Sequence, residues 1–159
     1  MDKMPITPEG LSRLQQELRR LKSEERPAVI RALEEARTHG DLSENAEYHA
    51  ARERQAFIEG RVAELEDKIR RAEVIDVSKL KGKGKAVKFG AIVELVDIDT
   101  DEKVTYQIVG AEESDITKGK LSIVSPLARA LIGKEVGDSV EVSTPRGSKV
   151  YEIQKVRFA

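Results

Sequence analysis

The 159-residue chain has no Cys and no Trp, only three Phe, three Tyr and two His. Without Cys there is neither a disulfide framework nor a thiolate metal site. His39 and His49 are too isolated for a His-based metal site or a nucleophile–His–acid triad. So few aromatics leave little surface for stacking single-stranded bases. No apolar run approaches membrane length, and the first residues, Met1-Asp2-Lys3-Met4-Pro5, lack a basic segment followed by an apolar one. A cytoplasmic location is expected. Charge of one sign is missing too: the net charge is −1, although 36% of residues are charged. No global basic field therefore points to nucleic acid. The two halves differ slightly, at −3 for residues 1–76 and +2 for 77–159.

What is present begins with helical periodicity. Thr7-Pro8-Glu9 reads as a helix start, with Thr as N-cap, Pro where its missing N–H costs nothing, and an acid in the first turn. Leu11, Leu14, Leu18 and Leu21 follow at heptad spacing. The apolar register then slips and resumes at Val29/Ile30, Leu33 and Ala36, with Pro27 inside the slip, so a kink is expected over Ser23–Pro27. A second helix carries Tyr48, Ala51, Gln55, Ile58, Val62, Leu65, Ile69 and Ala72 in unbroken 3-4 alternation. Over thirty residues at about 1.5 Å each, this makes a rod of roughly 45 Å. Such a seam also suits a dimerisation coiled coil, but a tight Gly40-Asp41 turn between the helices favours an antiparallel hairpin within one monomer.

That turn lies in Thr38-His39-Gly40-Asp41-Leu42-Ser43-Glu44-Asn45. Gly40 suits the left-handed residue that ends a helix. Asp41 suits the N-cap of the next, with Glu44 three residues on closing a capping box. Capping alone accounts for both acids. They would also share a face at the end of an exposed rod, where hard oxygen ligands suit Mg²⁺. Two carboxylates on a bare tip lack a pocket and a nucleophile, so they would act only within another molecule's cavity. Arg37, Arg52 and Arg54 stand near enough to meet phosphates there, or serve as solvated charges.

Ser78 to Lys85 is a Gly/Lys-rich connection without the spacing of a phosphate-binding loop. The expected organisation is a hairpin over 1–76, a linker over 77–88 and a second domain over 89–159. Beyond the linker come short alternating runs at Ala91–Asp97, Lys103–Val109, Leu121–Val124, Ser139–Ser143 and Val150–Phe158. One helical stretch, 127–132, interrupts them. The expected fold class is α+β, with a helical hairpin followed by a small, mostly antiparallel sheet with one helix.

Glu34-Glu35-Ala36-Arg37-x-His39-Gly40-Asp41-Leu42-Ser43-Glu44-Asn45-Ala46-Glu47-Tyr48-His49-Ala50-Ala51-Arg52-Glu53 resembles the tip signature of the bacterial transcript-cleavage elongation factors, the Gre family. Ile123-x-Ser125-Pro126-Leu127-Ala128-Arg129-Ala130-Leu131-Ile132-Gly133-Lys134 and Ile75-Asp76-Val77 match as well, and the resemblance covers nearly the whole chain. It implies a coiled coil that enters the RNA polymerase secondary channel and an FKBP-like head that docks on the rim through Ser125, Pro126, Leu127 and Arg129. Asp41 and Glu44 would help hold a Mg²⁺ shared with the polymerase, for cleavage of backtracked RNA near its 3′ end. Arg37 and Arg52 would face that RNA. The chain would then be an accessory factor and not an enzyme. The resemblance also admits a channel-entering inhibitor with the same fold, and the residues alone admit a non-catalytic coiled-coil module. Phe89, Tyr106, Tyr151 and Phe158 are too few and scattered to promise a prolyl isomerase pocket.

Overall fold

The computed structural model describes residues 2–41, 44–80 and 85–158. By internal packing the chain forms two units, residues 11–72 with the extreme N-terminus, and residues 3–10 with 73–159.

The first unit is the helical hairpin. Helix α1 (Pro8–Arg20) has its first turn in the other unit and runs into a π-helical stretch, Leu21–Glu25. Helix α2 (Arg26–Arg37) follows directly. Arg20, Glu25 and Arg26 all keep right-handed helical φ values of −62°, −70° and −61°, so the chain stays helical throughout. The expected kink is resolved as this π stretch, in which Arg26 N donates to Leu21 O. A π turn absorbs one extra residue. That is the physical content of the register slip, since Leu21 to Val29 spans eight residues where a heptad would have seven. Pro27 falls in the first turn of α2, where its absent N–H is tolerated.

Helix α3 (Ala46–Arg71) returns antiparallel. Leu14, Leu21, Val29, Leu33 and Ala36 are buried from one side, and Ala51, Ile58, Val62 and Leu65 from the other, with Ile58 and Leu65 at 0% exposure. Of the pair at the slip, Val29 points inward and Ile30 outward. Ion pairs cross between the helices alongside this seam. Arg61 meets Glu17 through two bonds of 2.8 and 2.9 Å, and Arg26 meets Glu59 through two of 2.8 Å. Arg54 reaches Glu25 at 2.8 Å and Lys22 reaches Glu66 at 3.5 Å. The Arg61 hydrogen bond holds the Glu17 carboxyl below its usual range, and Arg26 does the same for Glu59. Each exposed pair is worth only about 0.2–1 kcal/mol. A buried Ile or Leu is worth about 1.5–3, so the narrow seam carries most of the stability.

The second unit contains a five-stranded sheet in the order β5-β4-β3-β7-β6, made of β3 (Ile92–Asp97), β4 (Lys103–Val109), β5 (Lys120–Ser122), β6 (Ser139–Thr144) and β7 (Gly147–Arg157). The pairings are antiparallel except β4 with β5, which is parallel. The strand expected over Leu121–Val124 is found at Lys120–Ser122, at the edge of the sheet and parallel to β4. Helix α4 (Pro126–Leu131) packs against β6, burying Ala128 and Leu131 on a core of Val87, Val93, Leu95, Ile108 and Ile153. Phe158 belongs to this core, and Tyr106 and Tyr151 pack onto it half-buried.

A two-stranded sheet was not expected from the sequence. Strand β1 (Met4–Ile6) pairs with β2 (Ala72–Val74), and Ile75 N continues the ladder to Ile6 O at 2.9 Å. Ile6 is fully buried. For this reason residues 3–10 group with the C-terminal unit, although the sequence partition assigned all of 1–76 to the hairpin.

Candidate functional site

The hairpin tip is built by how α2 ends and α3 begins. Thr38 N and His39 N donate to Glu35 O and Ala36 O, each at 3.1 Å, and the Thr38 hydroxyl also donates to Glu35 O at 2.6 Å. Gly40 then adopts φ +100°, the conformation a glycine takes without penalty. Asp41 follows, exposed, and Glu44 is exposed on the approach to α3. Leu42 and Ser43 lie outside the described residues.

The N-cap of α3 is Asn45, not Asp41 as the sequence suggested. Its side-chain oxygen accepts from Tyr48 N at 3.0 Å, and its backbone φ and ψ of −89° and 101° are those of a cap. Its Nδ2 donates to Ala36 O at 2.7 Å, across the turn to the last buried residue of α2. One amide therefore closes both helix ends, which a carboxylate could not do, having no donor.

His39, Asp41, Glu44, Asn45, Ala46 and Glu47 line one shallow, open concavity at the tip. His39 Nε2 stands 3.8 Å from Glu47, an ion pair only when the imidazole is protonated. Among the described residues there is no cluster of three or more His, Cys, Asp or Glu able to hold a metal. The donor set fits Mg²⁺ in one limited sense: Asp41 and Glu44 offer hard oxygens to an ion whose other ligands come from elsewhere, and Mg²⁺ needs only one or two protein carboxylates. Arg37 and Arg52 are exposed on the flanks, with Arg52 within 3.3 Å of Gln55. Arg54, the third arginine near the tip in sequence, is instead taken up by Glu25.

The second group of candidates is on α4 and its cap. Ser125 Oγ accepts from Ala128 N at 3.3 Å and donates to Ser122 O at 2.7 Å, and Pro126 occupies the first turn. Pro126 and Arg129 are exposed, while Leu127 is half-buried. Val124 and Ile132 flank them at 55% and 39% exposure. The sequence reading did not single these two out, because a β-branched residue in a head rich in strands reads first as core.

The N-terminal domain model of the transcription elongation factors matches residues 4–74, and the GreA/GreB C-terminal domain model matches 82–158. The chain is 64% identical to the transcription elongation factor GreA of Rhodospirillum rubrum and 63% identical to that of Phenylobacterium zucineum, each over 99% of both chains. Among solved structures, it is 30% identical to GreA factor homolog 1 (Gfh1) of Thermus thermophilus, over 98% of this chain and 99% of that one, with a TM-score of 0.44.

Proposed function

Because the chain belongs to the GreA/GreB transcription elongation factor family, we propose that it enters the secondary channel of bacterial RNA polymerase and stimulates cleavage of backtracked RNA near its 3′ end. The observation that carries this reading is the tip: two exposed acids, Asp41 and Glu44, at the turn of a helical hairpin.

On this reading the chain is an accessory factor acting as a monomer in the cytoplasm, and the polymerase active centre supplies the enclosure the tip lacks. Asp41 and Glu44 each offer oxygen ligands to a Mg²⁺ held jointly with the polymerase. Such an ion, when bound, would supply charge stabilisation for the phosphodiester and an activated water, with Asp41 and Glu44 as the residues that would hold it from this side. Asn45 holds the two helix ends together so that the acids arrive in fixed register. Arg37 and Arg52 face the extruded RNA 3′ segment, where a cation neutralises phosphate. Ser125, Pro126, Leu127 and Arg129, with Val124 and Ile132 beside them, form the polymerase-docking surface of the head.

The test uses stalled, backtracked elongation complexes in Mg²⁺. Wild type should accelerate RNA cleavage, and Asp41→Asn or Glu44→Gln should abolish the acceleration while binding to polymerase survives. Normal cleavage by either variant would refute the assignment. A wild-type protein that slows elongation and cleaves nothing would mark it as a channel inhibitor. Arg52→Ala should weaken crosslinking to the RNA 3′ end, and unchanged crosslinking would return that residue to solvated charge. Leu127→Ala should weaken polymerase binding, and an unaltered dissociation constant would move the docking surface elsewhere.

A further inference from the structure

Phe57 is the most exposed large apolar side chain among the described residues, at 66%, and neither the tip nor the head surface gives it a role. It stands near the middle of α3, where Ala50, Arg54 and Arg61 share its stripe at helical spacing. Phenylalanine is a poorer helix former than alanine, so the helix itself does not call for it. A lone exposed apolar residue is ordinary on a protein surface and needs no explanation. Phe57 is not alone. One turn nearer the tip, Ala28, Val29 and Ala32 of α2 and Ala50 and Ala51 of α3 line an open groove of about 410 Å³ between the two helices.

The charges beside this apolar strip are already paired. Arg54 is held by Glu25 at 2.8 Å, and Arg61 by Glu17 through bonds of 2.8 and 2.9 Å. A surface laid over Phe57 and the groove meets ion pairs at the margin and no bare cation, the arrangement of an apolar interface core with a polar rim. The position of the strip also identifies what covers it. Phe57 lies eleven residues past Ala46, the first residue of α3, or about 16 Å along the helix axis. A tip that acts inside another protein's cavity carries everything within that distance in with it, so the wall facing Phe57 belongs to the same protein.

We infer that Phe57, with the groove of Ala28, Ala32 and Ala50 beside it, is a second polymerase-binding surface, carried on the hairpin itself and seated against an apolar patch of the channel wall. The contact rests on the channel-entry reading above. It supplies binding energy and takes no part in the chemistry.

Phe57→Ala removes the ring while raising helix propensity, so the full-length variant should keep the wild-type circular dichroism spectrum and melting temperature. Its affinity for RNA polymerase should fall by about tenfold or more. In the backtracked-RNA assay the factor concentration for half-maximal stimulation should rise by the same ratio, with the rate at saturating factor within about twofold of wild type. Phe57→Leu, still apolar, should recover most of the affinity. The photocrosslinker p-benzoylphenylalanine in place of Phe57 should join the factor to a polymerase subunit on irradiation.

The inference is overturned by unchanged affinity in Phe57→Ala, by a variant that unfolds, by a saturating rate that falls while the half-maximal concentration stays, or by a crosslink to a second copy of this chain in place of polymerase. If wild type binds polymerase and cleaves no RNA, the cleavage reading fails, and the affinities and crosslinks still decide the contact. A wild-type protein that does not bind polymerase overturns both.

Discussion

Asn45 is the residue on which the tip should prove most sensitive. Its side chain makes two separable contacts, accepting from Tyr48 N and donating to Ala36 O. Replacing an N-cap Asn by Ala costs about 1 kcal/mol, and losing a neutral hydrogen bond costs about 1 more. Asn45→Ala should therefore favour local opening of the turn by about 2 kcal/mol, or roughly 30-fold. Asn45→Asp divides the two, since a carboxylate caps as well as an amide but has no proton for Ala36 O; about 1 kcal/mol, roughly fivefold, is then expected. Amide hydrogen exchange measures this directly. The reporters are His39 N–H, which shares the Ala36 carbonyl, and His49 N–H, which bonds to Asn45 O. Both amides should exchange fastest in Asn45→Ala, with Asn45→Asp between it and wild type. If Asn45→Asp exchanges like wild type, the bridge to Ala36 contributes nothing. If Asn45→Ala exchanges no faster than Asn45→Asp, the cap contributes nothing. Exchange elsewhere in α3 should be unaffected, because the opening is local.

Other outcomes follow from the same geometry. Ile58→Ala, at a fully buried seam position, should destabilise the hairpin by about 2–5 kcal/mol in exchange at Val62 and Leu65, and a loss under about 1 kcal/mol would show that the seam is not its main support. Gly40→Ala and Gly60→Ala should have opposite signs although a Cβ meets nothing at either position. The first is strained at φ +100° and should cost about 1 kcal/mol or more, while the second, inside α3, should gain about 0.5–1 in thermal unfolding. A shared sign would mean that the tip does not need its left-handed turn. The depressed Glu17 and Glu59 carboxyls stabilise the fold above their unfolded pKa of about 4.3 and lose that contribution as pH falls through their lower folded values. A Glu17→Gln, Glu59→Gln protein should thus lose less thermal stability than wild type between about pH 5 and pH 3, and high salt should narrow the difference. Parallel pH profiles would show that these pairs contribute nothing.

The sequence by itself determined the parts whose physics is local. Heptad spacing placed nearly every buried residue of α3, from Ala51 to Leu65, because a helix turns the same faces inward wherever it packs. Thr7-Pro8-Glu9 marked a helix start and Gly40 a helix end, since caps and left-handed turns are satisfied within a few residues. The slip between Leu21 and Val29 announced an irregularity, and only the hydrogen-bond pattern could say that it is a π stretch. Asp41 and Glu44 were legible as candidates, but spacing suggested that one was the cap. It was Asn45's reach to Ala36, a contact between two helices, that decided otherwise.

The tertiary structure alone decided what joins distant segments. The pairing of Met4–Ile6 with Ala72–Val74, the parallel seat of β5 on β4 and the burial of Glu113 on Thr7 leave no periodic trace in the chain. Strands β1 and β2, of three residues each, carry too little pattern to be recognised. Gly10, in the first turn of α1, has no rationale within its own helix; the Glu113 carboxylate that fills the place of its Cβ supplies one. Such contacts are chosen by shape and by the satisfaction of buried polar groups across the fold, and both exist only once the chain has packed.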